Sequence, residues 1–303
     1  MDASLRAKLE GLPLFSDRPL EGWHVKPLGG LTNRNLKLSR DGESYVLRLG
    51  GEGTARYIDR AREAFNMRTA VALGLCPEVL FFDRADGTML TRFIDGAAPF
   101  DGDRLRDPAS LRAAVGVLKR LHSSGCSFRG EMILFAKLDV YRALARETEP
   151  AIVAALKAAC LQAEPLRAAL EKGREALVPC HIDPAPHNFI EGRGRVYLID
   201  WEYSAMSEPM WDIGDLSVEA GFDPDQDAAM LETYYGAASS ALAGRLVLYK
   251  AALDLLGAAW GAVQIADGND TTDFRAFVAE RLARFHAALD DVSFARHVEN
   301  AAG

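Results

Sequence analysis

The stretch His181-Ile182-Asp183-Pro184-Ala185-Pro186-His187-Asn188 is followed by the turn Glu191-Gly192-Arg193-Gly194, the apolar run 196–199 and then Asp200. These spacings concentrate the chemistry of the chain. Phosphoryl transfer needs a carboxylate beside the attacking hydroxyl and metal ions bridging phosphate oxygens, because its catalysis is mostly positioning and charge neutralisation. Asp183 suits the first task. Asn188 and Asp200 suit the second, since an amide oxygen and a carboxylate are hard ligands for a Mg²⁺ ion that also keeps waters and phosphates in its shell. Asp183 and Asn188 could be plain turn residues and Asp200 a plain strand end, but all three positions and both flanking elements agree with the catalytic reading.

Bulk properties narrow the setting. With 303 residues, 49% of them hydrophobic and 26% charged, the chain has the composition of a globular protein able to bury a large core. Its length suits one large domain or two lobes. No apolar run is expected to span a membrane, and the opening Met-Asp-Ala-Ser-Leu-Arg lacks a signal peptide's basic start and apolar stretch, so a cytoplasmic location is expected. A net charge of −8 argues against a nucleic-acid footprint and is compatible with a cationic substrate. Cys76, Cys126, Cys160 and Cys180 are scattered without a CxxC pair, which predicts buried thiols rather than a zinc site or disulfide framework.

Segments 25–28, 35–39 and 44–49 read as strands of an antiparallel meander, the last two joined by Arg40-Asp41-Gly42-Glu43. A helix is expected over 58–73, then strands over 79–82 and 88–93. Beyond this the pattern turns helical: 111–122, 137–172 with new starts at Pro150 and Pro165, 225–263 and 274–289.

His-x-Asp with Asn five residues after the Asp, then a strand ending in Asp, resembles the catalytic and metal-binding loops of the protein-kinase-like superfamily. Asp200-Trp201-Glu202-Tyr203 looks like the segment of choline and ethanolamine kinases. The resemblance, which extends to aminoglycoside phosphotransferases, implies an α+β, two-lobed protein-kinase-like fold: an N-terminal antiparallel sheet plus one helix, and a mainly helical C-terminal lobe. It implies a nucleotide-binding lobe over 1–93 and a lobe over 94–303 carrying the catalytic loop, metal site and acceptor pocket. ATP and Mg²⁺ are the implied cofactors, and a small-molecule acceptor the implied partner. His181 is expected to support the loop rather than move protons.

Further positions follow from the same resemblance. Leu28-Gly29-Gly30-Leu31-Thr32-Asn33 is similar to a nucleotide loop, in which Gly29 and Gly30 let backbone approach phosphate while Thr32 and Asn33 add donors. A glycine pair between strands is as often a mere turn. On the third strand Val46 and Arg48 share a face, offering an apolar ceiling for adenine and a planar cation for phosphates; Glu63 on the next helix would hold Arg48. The segment Phe93-Ile94-Asp95 resembles the hinge whose backbone meets adenine.

The acceptor is less legible. Ten carboxylates and no Lys or Arg lie between Asp200 and Tyr235, which predicts an acidic, largely water-facing wall that would gather cations. The segment 258–264 resembles a choline-kinase helix in which tryptophans cradle the ammonium; Trp260 is present and Gly257 stands where another would be. Glu202, Tyr203, Trp211 and Trp260, with Tyr234 as a further candidate, are therefore the expected acceptor residues. A lone helix Trp is as often core. Choline or ethanolamine is the expected acceptor, with aminoglycoside or thiamine phosphotransferase and a non-catalytic pseudokinase as alternatives.

Overall fold

A computed structural model describes residues 3–30, 33–51 and 56–302. The chain divides into two compact units, one of residues 1–99 with 190–203 and one of 100–189 with 204–303. The expected boundary at 93/94 is thus displaced, because 190–203 return to the first unit. There the strand pair β8 (Phe189–Gly192) and β9 (Arg195–Leu198) joins the two-residue strand β6 (Ala98–Pro99), and Leu198 N–H donates to Leu75 O at 2.8 Å.

The first unit is built on a five-stranded antiparallel sheet of β1 (His24–Gly29), β2 (Arg34–Arg40), β3 (Glu43–Leu49), β4 (Val79–Phe82) and β5 (Met89–Arg92), in the order β1-β2-β3-β5-β4. Asp41 and Gly42 both have positive φ (50° and 82°), the geometry a two-residue hairpin of this twist requires. That turn sets the β2–β3 register from Arg40 opposite Glu43 to Arg34 opposite Leu49. Alternation then sends Leu36, Leu38, Tyr45, Leu47 and Leu90 into one core, which is closed by Phe15, Trp23 and the leucines of α1 (Ala3–Glu10), a helix the sequence reading missed. Arg48, next to Leu47 on the strand, therefore points to the other face. Helix α2 (Arg60–Ala72) is capped by the Asp59 carboxylate, which accepts from Ala61 N and Arg62 N, and it buries Arg60, Glu63 and Asn66 along with Ala64 and Met67.

The second unit is helical around one small strand pair. Asp107 caps and Pro108 opens α3 (Pro108–His122), whose Leu111, Val115, Leu118 and Leu121 are buried. Next come α4 (Leu134–Leu144), α5 (Pro150–Gln162), which opens on its proline, and α6 (Glu164–Lys172), with Pro165 in its first turn. Strand β7 (Val178–Cys180) pairs antiparallel with β10 (Ala205–Ser207). Helices α7 (Pro209–Ala220), α8 (Pro224–Tyr235), α9 (Ser240–Ala266), α10 (Phe274–Asp290) and α11 (Phe294–Ala302) complete it.

At 27 residues α9 is long and apolar enough to cross a membrane by length and composition, contrary to the expectation that no run reaches that length. Its most apolar 18-residue window is 78% buried by the protein, the condition of a core helix, and it packs against α4, α7, α10 and α11. Gly261 allows a close approach to α10, since a Cβ there would stand 2.8 Å from a ring carbon of Phe277. All four cysteines are free; Cys76 and Cys180 are buried as expected, whereas Cys126 and Cys160 are half-exposed.

Candidate active site

In the first unit two guanidinium groups meet three carboxylates. Arg48, 2% exposed, lies 2.5 Å from Glu63, 3.4 Å from Asp200 and 3.9 Å from Glu202. Arg60 reaches Glu63 at 2.7 Å and Glu202 at 3.1 Å. Burial alone would lower Arg48's guanidinium, but the charges of Glu63, Asp200 and Glu202 hold it above its usual range. Asp200 is the least buried of the three carboxylates, its side chain 30% accessible against 0% for Glu63 and 4% for Glu202. Enclosure and the neighbouring Glu202 push its carboxyl up to about 7 against the pull of Arg48, and its backbone sits at φ 63°. A site with one carboxylate in excess, ending in a raised Asp200, has the donor chemistry that a hard cation would complete.

The cluster corrects several expectations. Glu202, expected at the acceptor, is buried and held by Arg60, Arg48 and the Asn33 amide, 3.0 Å from its Oε2. Asn33 is likewise occupied, since its Oδ1 accepts from Gly51 N, so its side chain is not a spare phosphate donor. Arg48's fork engages Glu63 and Gly87 O, the latter at 3.1 and 3.3 Å, and its Nη1 lies 3.4 Å from Asp200. Sequence reasoning passed over Arg60, although its place three residues before Glu63 on one helix face is a recognisable pairing signal.

Gly29 and Gly30 have φ 86° and 139°, and a Cβ on Gly30 would fall 2.2 Å from Asn33 O, so only glycine fits there. Thr32 lies outside the described residues. Val46 is half-buried on β3, opposite Lys37 and Thr91. In the hinge segment Phe93 N–H donates to Ser44 O and Ile94 O accepts from Ala97 N, so those two backbone groups are already used. The Asp95 side chain pairs with Arg193 at 2.8 Å.

In the second unit the loop 181–188 is held by α7. Asp212 Oδ2 accepts from His181 N at 2.8 Å and Oδ1 from Ile182 N at 2.7 Å, and His122 Nε2 completes its shell at 2.9 Å. Ile182 has φ 77°, a strained conformation for a β-branched residue that costs about 1–3 kcal/mol and persists only where its surroundings impose it. Asp212 and Trp211 impose it: the Trp211 indole N–H donates to Ile182 O at 3.0 Å. Trp211, expected at the acceptor, is instead found buried, 2% exposed, with its indole N–H spent on the loop. Asn188 Nδ2 donates to Asp183 O at 2.9 Å, closing the loop.

Tyr234 is likewise corrected, because its hydroxyl lies 2.6 Å from His122 Nδ1 and belongs to this brace. His122, Cys180 and Asp212 stand close enough to suggest a metal site. Their bonding argues otherwise: both His122 nitrogens are engaged, and the Cys180 thiol donates to Ser207 O and Glu208 O while burial holds it far above its usual range.

The acidic run faces water only in part: Glu219, Asp223, Asp225 and Glu232 are exposed. Glu208, Asp212 and Asp227 are buried, and cations distant in sequence meet two of them: Arg245 pairs with Glu208, and Lys250 lies 2.6 Å from Asp227. Arg281 runs past Gly257, pairs with Glu219 at 2.5 Å and Asp254 at 3.1 Å, and lies over the Phe277 ring at 4.9 Å. Trp260 is half-buried and edge-on to Phe274 and Phe277, at 5.6 and 5.8 Å. Tyr203 is half-buried at the end of the first unit.

Comparison with known proteins places these clusters in context. Residues 24–249 match the phosphotransferase enzyme family. The choline/ethanolamine kinase family protein of Mesorhizobium loti superimposes with a TM-score of 0.84 at 38% identity, over 99% of this chain and 98% of that one. Choline kinase LicA from Streptococcus pneumoniae gives 0.79 at 27% identity, over 95% and 99%. Protein LicA of Haemophilus influenzae is 32% identical over 213 residues; the match takes in 68% of this chain and 61% of that protein's length.

Proposed function

Since this chain belongs to the phosphotransferase enzyme family, we propose that it moves the γ-phosphoryl of ATP onto the hydroxyl of a small cationic amino alcohol, choline or ethanolamine. The observation that supports the reading is the loop 181–188, strained at Ile182, the residue before Asp183, and braced there by Asp212 and Trp211. Asp183 orients the acceptor hydroxyl and takes its proton as the bond to phosphorus forms. Asn188 and Asp200 are the groups that would hold Mg²⁺, which when bound offsets charge on the phosphate oxygens. Arg48, Glu63, Arg60 and Glu202 keep Asp200 in position, while Gly29 and Gly30 admit the phosphates and the backbone of the segment 93–95 meets adenine.

The choline kinase and choline/ethanolamine kinase names among the similar structures support the acceptor class. An aminoglycoside or thiamine acceptor is the competing reading. A pseudokinase is disfavoured because Asp183, Asn188 and Asp200 are all present. The test is ATP consumption with choline, ethanolamine, thiamine, aminoglycosides and simple sugars. Turnover on the amino alcohols is expected; turnover confined to another class would overturn the acceptor assignment, and none on any class would overturn the activity.

A further inference from the structure

Gly87 lies in the turn between β4 and β5, and that turn is tied down from several sides. Asp83 N–H donates to Thr88 O at 2.8 Å and Gly87 N–H to Asp83 O at 3.0 Å, while the Asp83 and Asp86 carboxylates accept from Ala85 N and Thr88 N. Lys8 of α1 pairs with Asp86, and a Cβ on Gly50, just past β3, would fall 2.1 Å from Asp86 O.

The carbonyl that this turn presents is spent on a buried charge. Gly87 O accepts from Arg48 Nε at 3.3 Å and Nη2 at 3.1 Å, and the Phe82 ring, at the end of β4, lies 5.7 Å from the guanidinium carbon. A guanidinium is planar, so fixing Nε and Nη2 also fixes the direction of Nη1, which lies 3.4 Å from Asp200. The carbonyl is also neutral. It satisfies Arg48 without adding a fourth carboxylate, so the negative charge in excess stays available at Asp200, the most accessible of the three. The same glycine makes room for the second arginine: its φ is 75°, and a Cβ there would stand 2.5 Å from Nε of Arg60, whose Nη1 holds Glu63 and Glu202. We propose that Gly87 is a positioning residue for a divalent cation at Asp200, its carbonyl aiming Arg48 and its missing side chain leaving Arg60 in place. The assignment rests on the reading of Asp200 as a Mg²⁺ ligand given above.

The test uses Mn²⁺ as the probe, its binding to the full chain followed by electron paramagnetic resonance with ADP present and with ADP alone as the blank. Gly87→Ala pushes Arg60 off Glu63 and Glu202 and tilts the turn that holds Arg48. It should weaken Mn²⁺ binding about 10–100-fold, the usual cost of losing a group that orients a metal ligand. Gly42→Ala is the matched control, because Gly42 has φ 82° and nothing within 4 Å of a Cβ. It carries the same left-handed strain and a comparable loss of thermal stability, yet should change Mn²⁺ affinity less than about threefold. Asp86→Ala loosens the turn from its exposed side, bonds to neither arginine, and should weaken Mn²⁺ about threefold to tenfold. Wild-type affinity in Gly87→Ala, or in Asp86→Ala where Gly87→Ala does not fold, would overturn the proposal, as would an equal loss in Gly42→Ala. A wild type that binds no Mn²⁺ beyond the ADP blank would instead overturn the reading of Asp200 as a metal ligand, and this assignment with it.

Discussion

Replacing Asp212 tests the idea that the catalytic loop is held in a strained form from beneath. The carboxylate accepts from His181 N at 2.8 Å, Ile182 N at 2.7 Å and His122 Nε2 at 2.9 Å, all in a buried setting. In Asp212→Ala two buried backbone N–H groups lose their acceptor, at about 1–3 kcal/mol each, and the His122 bond is lost as well, for roughly 3–6 kcal/mol in all. That approaches the whole stability of a typical domain, about 5–15 kcal/mol, so this variant should accumulate poorly. Asp212→Asn is the more informative change. It turns one oxygen into a donor facing another donor and should cost about 1.5–3 kcal/mol. With one anchor gone, Ile182 can relax from φ 77° toward negative φ, carrying Asp183 with it. A displacement of about 1 Å at a reacting group costs on the order of a hundredfold in rate. Urea unfolding and steady-state kinetics on one preparation should therefore show a lower midpoint and kcat reduced about a hundredfold, with the KM for ATP nearly unchanged. Wild-type stability together with wild-type kcat in Asp212→Asn would refute the bracing argument.

Asp183→Ala should lower kcat by about 10²–10⁴-fold while ATP binding, followed by fluorescence titration or calorimetry, persists; unchanged turnover would remove Asp183 from the mechanism. Arg48→Ala should cost about 3–5 kcal/mol, because Glu63 stays buried with one cation fewer, whereas Arg48→Lys keeps a charge but not the fork joining Glu63, Gly87 and Asp200. Equal, near-normal unfolding midpoints in the two variants would contradict the brace. Thiol labelling of the native protein at pH 8 should reach Cys126 first and spare Cys76 and Cys180, since burial pushes the Cys76 thiol up to about 12 and the Cys180 thiol higher. Rapid modification of all four thiols without unfolding would show that those two sites open readily.

The order of strands and helices in the first unit was legible because its signals are short-range. A period of two marks β2 and β3, Asp41-Gly42 marks their hairpin, and prolines mark the starts of α3, α5 and α6. Helices α1, α7 and α11 were missed for a related reason. Helix α1 is only eight residues long and buries two leucines, and α7 buries the Asp212 carboxylate in a stretch that reads as surface. The return of 190–203 to the first unit depends on pairing between β6 and β8, whose residues stand some ninety positions apart.

The sequence by itself determined the spacing of Asp183, Asn188 and Asp200, the glycines that must be glycine, and the alternation that turns Arg48 away from the apolar core. Each of these depends on backbone geometry over a few residues. Which carboxylates face water was decided only by the tertiary structure. The run from Asp200 to Tyr235 has no basic residue of its own, yet Arg60, Arg245, Lys250 and Arg281 arrive from elsewhere in the chain to meet Glu202, Glu208, Asp227 and Glu219. Trp211 likewise became a brace because Ile182 O lies above it, twenty-nine positions away in sequence. A buried charge must find a counter-charge or a hydrogen bond, but nothing in that requirement says from where along the chain the partner comes.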